Sequence, residues 1–265
     1  MFQRLLIIGC FFITCSCIFS QKIVAVQTAV PILKVDADDF VGVDNLGYYY
    51  YIKNNVFYKQ KEAEIWQYQN IGLGEIAKVD LINPLKIVLF YENFNKVILL
   101  DNQLNEVNVV DFSLLADVII AHNVGMCGQN NLWIFNSMNQ QVGLFNYENR
   151  KYTVLNQAIK NLLLFSQTDF NSFVWIDDTF KAYKMDVFGK VLFLGAIPQF
   201  DVIQFVSDTQ FLFLKNNKLY YQKEATLQPI ELETIEKSIK KFSYKDKILT
   251  IFTGTEIITY NLILP

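Results

Sequence analysis

Lys53-Asn54-Asn55-Val56-Phe57-Tyr58-Lys59-Gln60-Lys61-Glu62-Ala63-Glu64 returns later in the chain as Lys215-Asn216-Asn217-Lys218-Leu219-Tyr220-Tyr221-Gln222-Lys223-Glu224-Ala225-Thr226, with eight of twelve positions identical. Self-similarity at a fixed spacing is the mark of a repeat architecture. Each copy has the same grammar: an Asn pair suited to the left-handed backbone of a tight turn, then an aromatic strand, then a charged second turn.

Reading outward from the two copies, runs rich in Val, Ile, Phe, Tyr and Trp are broken by clusters of Asn, Asp, Gly and Lys. Innermost strands are expected to begin near Asp38, Glu75, Asp117, Leu162, Phe200 and Ser238, evenly enough to define one repeating unit. Four such steps separate the two copies, so they fall in the first and fifth units. In the second unit the strands read as 75–81, 86–91, 96–101 and 106–112, and in the third as 117–124, 131–136, 141–147 and 152–155. Four antiparallel strands in about 40 residues are one blade of a β-propeller.

The sequence thus predicts an all-β fold: a six-bladed β-propeller of four-stranded antiparallel blades. The sixth unit offers three strands, 238–244, 247–252 and 256–262. The extended run 23–33 is expected to join that last blade and close the ring, removing a free sheet edge. Truncating either terminus should then unfold the protein. A five-bladed ring with extra strands is the architectural alternative. Short helical turns are expected at 155–161 and 230–240.

Residues 1–20 read as a signal peptide. Met1 to Arg4 is a basic start, Leu5 to Ile13 an apolar run too short to span a bilayer, and Ile18-Phe19-Ser20 a cleavage site before Gln21. An uncleaved anchor, or a lipid on Cys10 or Cys17, are the competing readings. Residues 21–265 then form a single propeller domain, peripheral and without a transmembrane segment. It retains one cysteine, Cys127, so it holds no internal disulfide. Without the leader the chain carries 22 basic and 26 acidic side chains, a balance that offers nothing to nucleic acid.

Catalytic and metal chemistry find little to work with. His122 is the single imidazole of the chain, and no G-x-S-x-G, H-E-x-x-H or phosphate-loop motif occurs. Asp36, Asp38 and Asp39, and the pair Asp177 and Asp178, could serve a glycosidase. Adjacent acids on a strand point to opposite faces, however, and turns collect Asp for backbone reasons. Trp66, Trp133 and Trp175 read as blade packing, Cys127 as a small buried hydrophobe, and Asp44-Asn45-Leu46-Gly47-Tyr48-Tyr49-Tyr50 as a structural D-x-x-G-x-x-Y hairpin. No cofactor and no metal are expected, and the chain reads as a recognition module rather than an enzyme. The best surface candidate is the turn Tyr91-Glu92-Asn93-Phe94-Asn95, because Phe94 between polar residues has little reason to be there for folding.

Two stretches carry a resemblance: Val79-Asp80-Leu81-Ile82-Asn83-Pro84-Leu85-Lys86-Ile87-Val88-Leu89-Phe90-Tyr91-Glu92-Asn93-Phe94-Asn95-Lys96-Val97-Ile98-Leu99-Leu100-Asp101, and the earlier Val43-Asp44-Asn45-Leu46-Gly47-Tyr48. They are similar to secreted propeller-like proteins of bacteria that use the type IX secretion system, specifically so over residues 39 to 102. The resemblance implies a non-enzymatic periplasmic interaction subunit at the inner face of the outer membrane. Its partner would be the outer-membrane barrel of the secretion translocon, whose periplasmic mouth it would plug when no substrate is passing. A carbohydrate-binding or carbohydrate-active propeller of the bacterial envelope is the competing function.

Overall fold

The computed structural model describes residues 22–115, 117–233 and 237–265. Residues 1–20, expected to be a signal peptide, lie outside them. The described residues form an all-β structure of 25 strands with three single-turn 3-10 segments, Ile71–Leu73, Glu92–Phe94 and Phe112–Leu114. A first antiparallel sheet is made by Asp39–Val43, Tyr49–Lys53, Val56–Lys61 and Glu64–Tyr68. A second follows from Lys78–Asp80, Ile87–Tyr91, Lys96–Leu100 and Glu106–Asp111. Ala121–Cys127, Asn131–Asn136, Gln141–Asn146 and Lys151–Val154 make the third. The fourth is Leu163–Thr168, Ser172–Asp177, Lys181–Asp186 and Val191–Ala196.

A fifth strand set (Val202–Phe205, Gln210–Lys215, Lys218–Lys223, Thr226–Leu232) and a last one (Lys241–Lys245, Ile248–Phe252, Glu256–Asn261) are joined into one larger sheet. The joint is Ile23–Gln27. Its first half runs parallel to Thr226–Leu232, with Ile23 opposite Ile230. Its second half runs antiparallel to Glu256–Asn261, with Val26 opposite Asn261. Leu33–Lys34 then pairs further along that same strand, Leu33 opposite Ile257.

Side-chain alternation explains how the sheets stack. The second strand of each sheet is buried on both faces, so it reads as an unbroken apolar run instead of an alternating one. In Ile87–Tyr91, Ile87, Leu89 and Tyr91 pack toward the first sheet with Tyr50 and Phe57. Val88 and Phe90, of opposite parity, pack toward the third sheet with Val124, Met126 and Ile134. Trp133 and Trp175 continue the stack between third and fourth sheets, Phe205 and Phe213 between fourth and fifth, and Tyr221 and Tyr260 between fifth and last. The last sheet meets the first through a much smaller core of Phe40, Phe252 and Ile257. Outer strands such as Val191–Ala196 are largely exposed.

Polar side chains of the first strands stitch the sheets together where they converge. Asp80 accepts from the Met126 amide at 2.9 Å and from the Thr168 hydroxyl at 3.1 Å. Gln167 and Phe205 exchange hydrogen bonds between side chain and backbone, as do Gln204 and Tyr244. Lys241 of the last sheet donates to Asp39 of the first at 2.8 Å. The expected helical turn at 155–161 is absent. The amides of Leu155 and Ile159 instead donate to Val142 and Gln140 of the third sheet, which leaves them unavailable to a helix. Of the turn expected at 230–240, residues 230–232 belong to the strand Thr226–Leu232, and 234–236 lie outside the described residues.

Candidate functional site

The turn 91–95 joins the second and third strands of the second sheet, and its five residues have different surroundings. Tyr91 is 1% exposed, and burial pushes its hydroxyl up to about 12. Asn95 closes the 3-10 turn with a left-handed backbone, φ 52°. Its side chain is spent on the linker to the third sheet: Nδ2 donates to the Ile119 carbonyl at 2.6 Å, and Oδ1 accepts from the Ala121 amide at 3.0 Å. The same device recurs at the Asn pairs of the internal repeat. Asn55 Oδ1 accepts from Ile76 at 3.0 Å, and Asn217 Oδ1 accepts from Ile239 at 2.6 Å, each in left-handed backbone.

Glu92, Asn93 and Phe94 are exposed. Glu92 hydrogen-bonds Nδ1 of His122 at 2.5 Å, tying the turn to the first strand of the third sheet. Phe94 lies against Gly74, where an added Cβ would stand 3.4 Å from the ring. Phe94 therefore touches the linker that carries Ile71, which is 86% exposed. On its other side Asn95 holds the linker that carries Leu114, 81% exposed, and Ile120. The Ser137 amide donates to Ile120 at 2.8 Å, which brings up the turn bearing exposed Met138. Ile71, Phe94, Leu114, Ile120 and Met138 thus form a band along the loops at one end of three successive sheets. Single exposed apolar residues are ordinary, but a run of them on adjoining loops is the chemistry of a contact surface. Sequence reading singled out Phe94 and not its exposed neighbours, because residues lying in separate linkers carry no shared period.

The residues weighed for catalysis do not assemble. Asp36 meets Lys53 at 3.4 Å, Asp38 accepts from the Asn54 amide at 2.6 Å, and Asp39 is paired with Lys241. Asp177 is 1% exposed. Burial pushes its carboxyl up, but bonds from Asn161, Thr179 and the Thr179 and Lys181 amides outweigh that and hold it below the usual carboxylate range. Cys127 is a buried free thiol, which burial raises to about 11. Among the described residues no cluster of His, Cys, Asp and Glu could hold a metal ion, and no helix is long and apolar enough to cross a membrane.

At the opposite end of the first sheet from Asn54 and Asn55 lies a cavity of about 700 Å³. It sits between the first and last sheets, beneath Val30, Pro31, Ile32 and Leu33 of the N-terminal segment.

No family model and no curated protein matches the sequence. Solved structures match its shape. The virginiamycin B lyase of Staphylococcus aureus aligns with a TM-score of 0.55 and 11% identity, over 84% of this chain and 79% of that one. The β-propeller domain of Cps50 from Myceliophteria thermophila aligns with a TM-score of 0.58 and 7% identity, over 89% of this chain and 100% of that one. PorZ, a bacterial surface component of the type IX secretion system of Porphyromonas gingivalis, aligns over 88% of this chain and 31% of that one at 13% identity, with a TM-score of 0.45 too loose to argue from. At such identities the likeness defines the fold alone, and that fold is the β-propeller. It also brings a correction. The sequence reads as a recognition module and not an enzyme, yet the lyase shows that this fold carries enzymes. Lack of a familiar catalytic motif therefore does not remove catalysis from consideration, and the expectation is withdrawn.

Proposed function

We propose that the chain is a six-bladed β-propeller, its ring closed by residues 23–34, that serves as an interaction subunit of a bacterial envelope complex. In this reading residues 1–20 are a signal peptide and the mature domain sits in the periplasm, at the inner face of the outer membrane. Its partner is the outer-membrane barrel of a type IX secretion translocon, whose periplasmic mouth it plugs. The observation that carries the reading is the exposed apolar band from Ile71 through Phe94 and Leu114 to Met138, flanked by the polar residues Glu92 and Asn93. An apolar centre with a polar surround is the composition of a protein–protein contact. The resemblance of residues 43–48 and 79–101 to secreted propellers of type IX bacteria supplies the choice of partner.

The test is affinity purification of the tagged chain from gently solubilised envelopes of its native host, followed by mass spectrometry. Near-stoichiometric recovery of a very large outer-membrane barrel is expected. The double variant Ile71→Asp/Leu114→Asp should lose the barrel while keeping its thermal unfolding, since both side chains already lie in solvent. Recovery of the propeller alone, under conditions that hold other envelope complexes together, would sink the reading.

A further inference from the structure

The joint between the last and first sheets is built unlike the others. Elsewhere large apolar side chains fill the space between neighbouring sheets, whereas here buried packing is limited to Phe40, Phe252 and Ile257. Beyond that small core the facing surface of the last sheet carries a row of hydroxyls: Ser243 stands opposite Thr250, and Thr250 opposite Thr259. All three line the 700 Å³ cavity. The Thr259 hydroxyl lies 3.2 Å from Tyr49 Oη. Thr250 is 2% exposed, yet its hydroxyl has no hydrogen-bond partner among the described residues, and neither has that of Ser243. Both hydroxyls are therefore available to a group held in the cavity.

The remaining walls define what that group can be. Pro31, Ile32 and Leu33 above and Ile248 at the side are apolar. Charges at the mouth are mixed. Lys61 is spent on the Leu46 carbonyl at 2.7 Å, and Asp44 on the Leu46 and Tyr48 amides and the Tyr50 hydroxyl. Lys245, Asp246 and Glu62 also line the cavity. The lining holds two lysines and three acids, a net charge of −1 set against mainly apolar walls, which is too little to offset the lost hydration of a charged ligand. A volume of this size falls within the roughly 300–1,000 Å³ of small-molecule sites.

We infer that the cavity between the last and first sheets binds an uncharged, mainly apolar small molecule that presents hydrogen-bonding oxygens to Ser243, Thr250 and Thr259. Each hydroxyl can donate or accept, so carbonyl, ether and hydroxyl oxygens all suit the row. The inference stands apart from the docking face, which lies at the other end of the sheets. The Ile71→Asp/Leu114→Asp variant should leave the cavity's binding unchanged.

The test uses the neutral solvatochromic dye Nile red, titrated by fluorescence against the full chain. Saturable one-to-one binding with a blue-shifted emission is expected. Ser243→Phe fills the floor of the cavity and should weaken binding about tenfold or more, equivalent to about 1.4 kcal/mol. Thr250→Val removes the hydroxyl with little change of shape and should weaken binding about three- to tenfold. Should Ser243→Phe fail to fold, Leu46→Trp narrows the mouth from an exposed position and should reproduce the loss. Unsaturable binding, or equal binding by wild type and the cavity-filling variants, would mean that the space holds only water, and would overturn the inference.

Discussion

Asn55, Asn95 and Asn217 each combine two properties that few side chains share. They accept left-handed backbone at low cost, and they carry an acceptor that reaches the linker into the next sheet. Replacing Asn55 or Asn217 by Ala removes both, and should cost about 1–3 kcal/mol through the amide left unpaired. Gly at the same positions restores the backbone freedom while leaving the amide unpaired, so its cost should be smaller. Urea unfolding of the four variants checks the ranking; equal stability of the Ala variants and wild type would show that the staple contributes nothing. The Asn pairs were visible in the sequence as turn residues, and their recurrence gave the unit spacing. Their second task was not, because the bonded amides of Ile76 and Ile239 lie beyond two further strands, in irregular linkers. Asn95 shows the consequence: it reads as a contact residue from its turn, while its amide is already committed to Ile119 and Ala121.

Among the elements, the hairpins share a construction that alternation of residue types does not reveal. Asp44, Asp101, Asp177 and Asp186 each accept, through one carboxylate oxygen, the backbone amides two and four residues further on. In the first sheet the other oxygen of Asp44 accepts from Tyr50 Oη at 2.8 Å, which accounts for the Tyr of the D-x-x-G-x-x-Y hairpin. Hydrogen bonding holds the Asp177 carboxyl low in the folded state despite burial. Its unfolded value is about 3.9, so its contribution is complete above that pH and is lost as the pH falls through the lower folded value. Asp177→Asn keeps an acceptor for the Thr179 and Lys181 amides but cannot titrate. Its stability should therefore fall less steeply with acid below about pH 4 than that of wild type, in urea unfolding at a series of pH values. An identical acid slope would remove Asp177 from the account. Strand positions were largely legible from sequence: first strands expected near 38, 75, 117, 162, 200 and 238 begin at 39, 78, 121, 163, 202 and 241. The segment 155–161 was not, since its apolar spacing suits a helix while its amides bond the third sheet.

At the scale of the whole molecule, residues 23–34 matter more than their length suggests. They pair with Thr226–Leu232 on one side and Glu256–Asn261 on the other. A chain beginning at Val35 would leave both strands as open edges and strip Ile23 and Ala25 from the core between the fifth and last sheets. Such a chain should associate on size-exclusion chromatography and lose the cooperative thermal transition of the full domain. A monomer with the wild-type transition would show that these pairings are dispensable. The apolar band and the cavity were invisible to sequence reading for a reason they share with this joint. Each is assembled from segments that only the completed stack brings together.

The pairing of Ile23–Gln27 with Glu256–Asn261 also orders events in time. A ribosome makes Ile23–Gln27 well over 200 residues before it makes Glu256–Asn261. Until the last strand emerges, residues 23–27 have no antiparallel partner, and a nascent chain can build its middle sheets but cannot finish the structure. Completion is thus delayed until residues 256–261 have been made, and over that interval the growing polypeptide stays open at this seam.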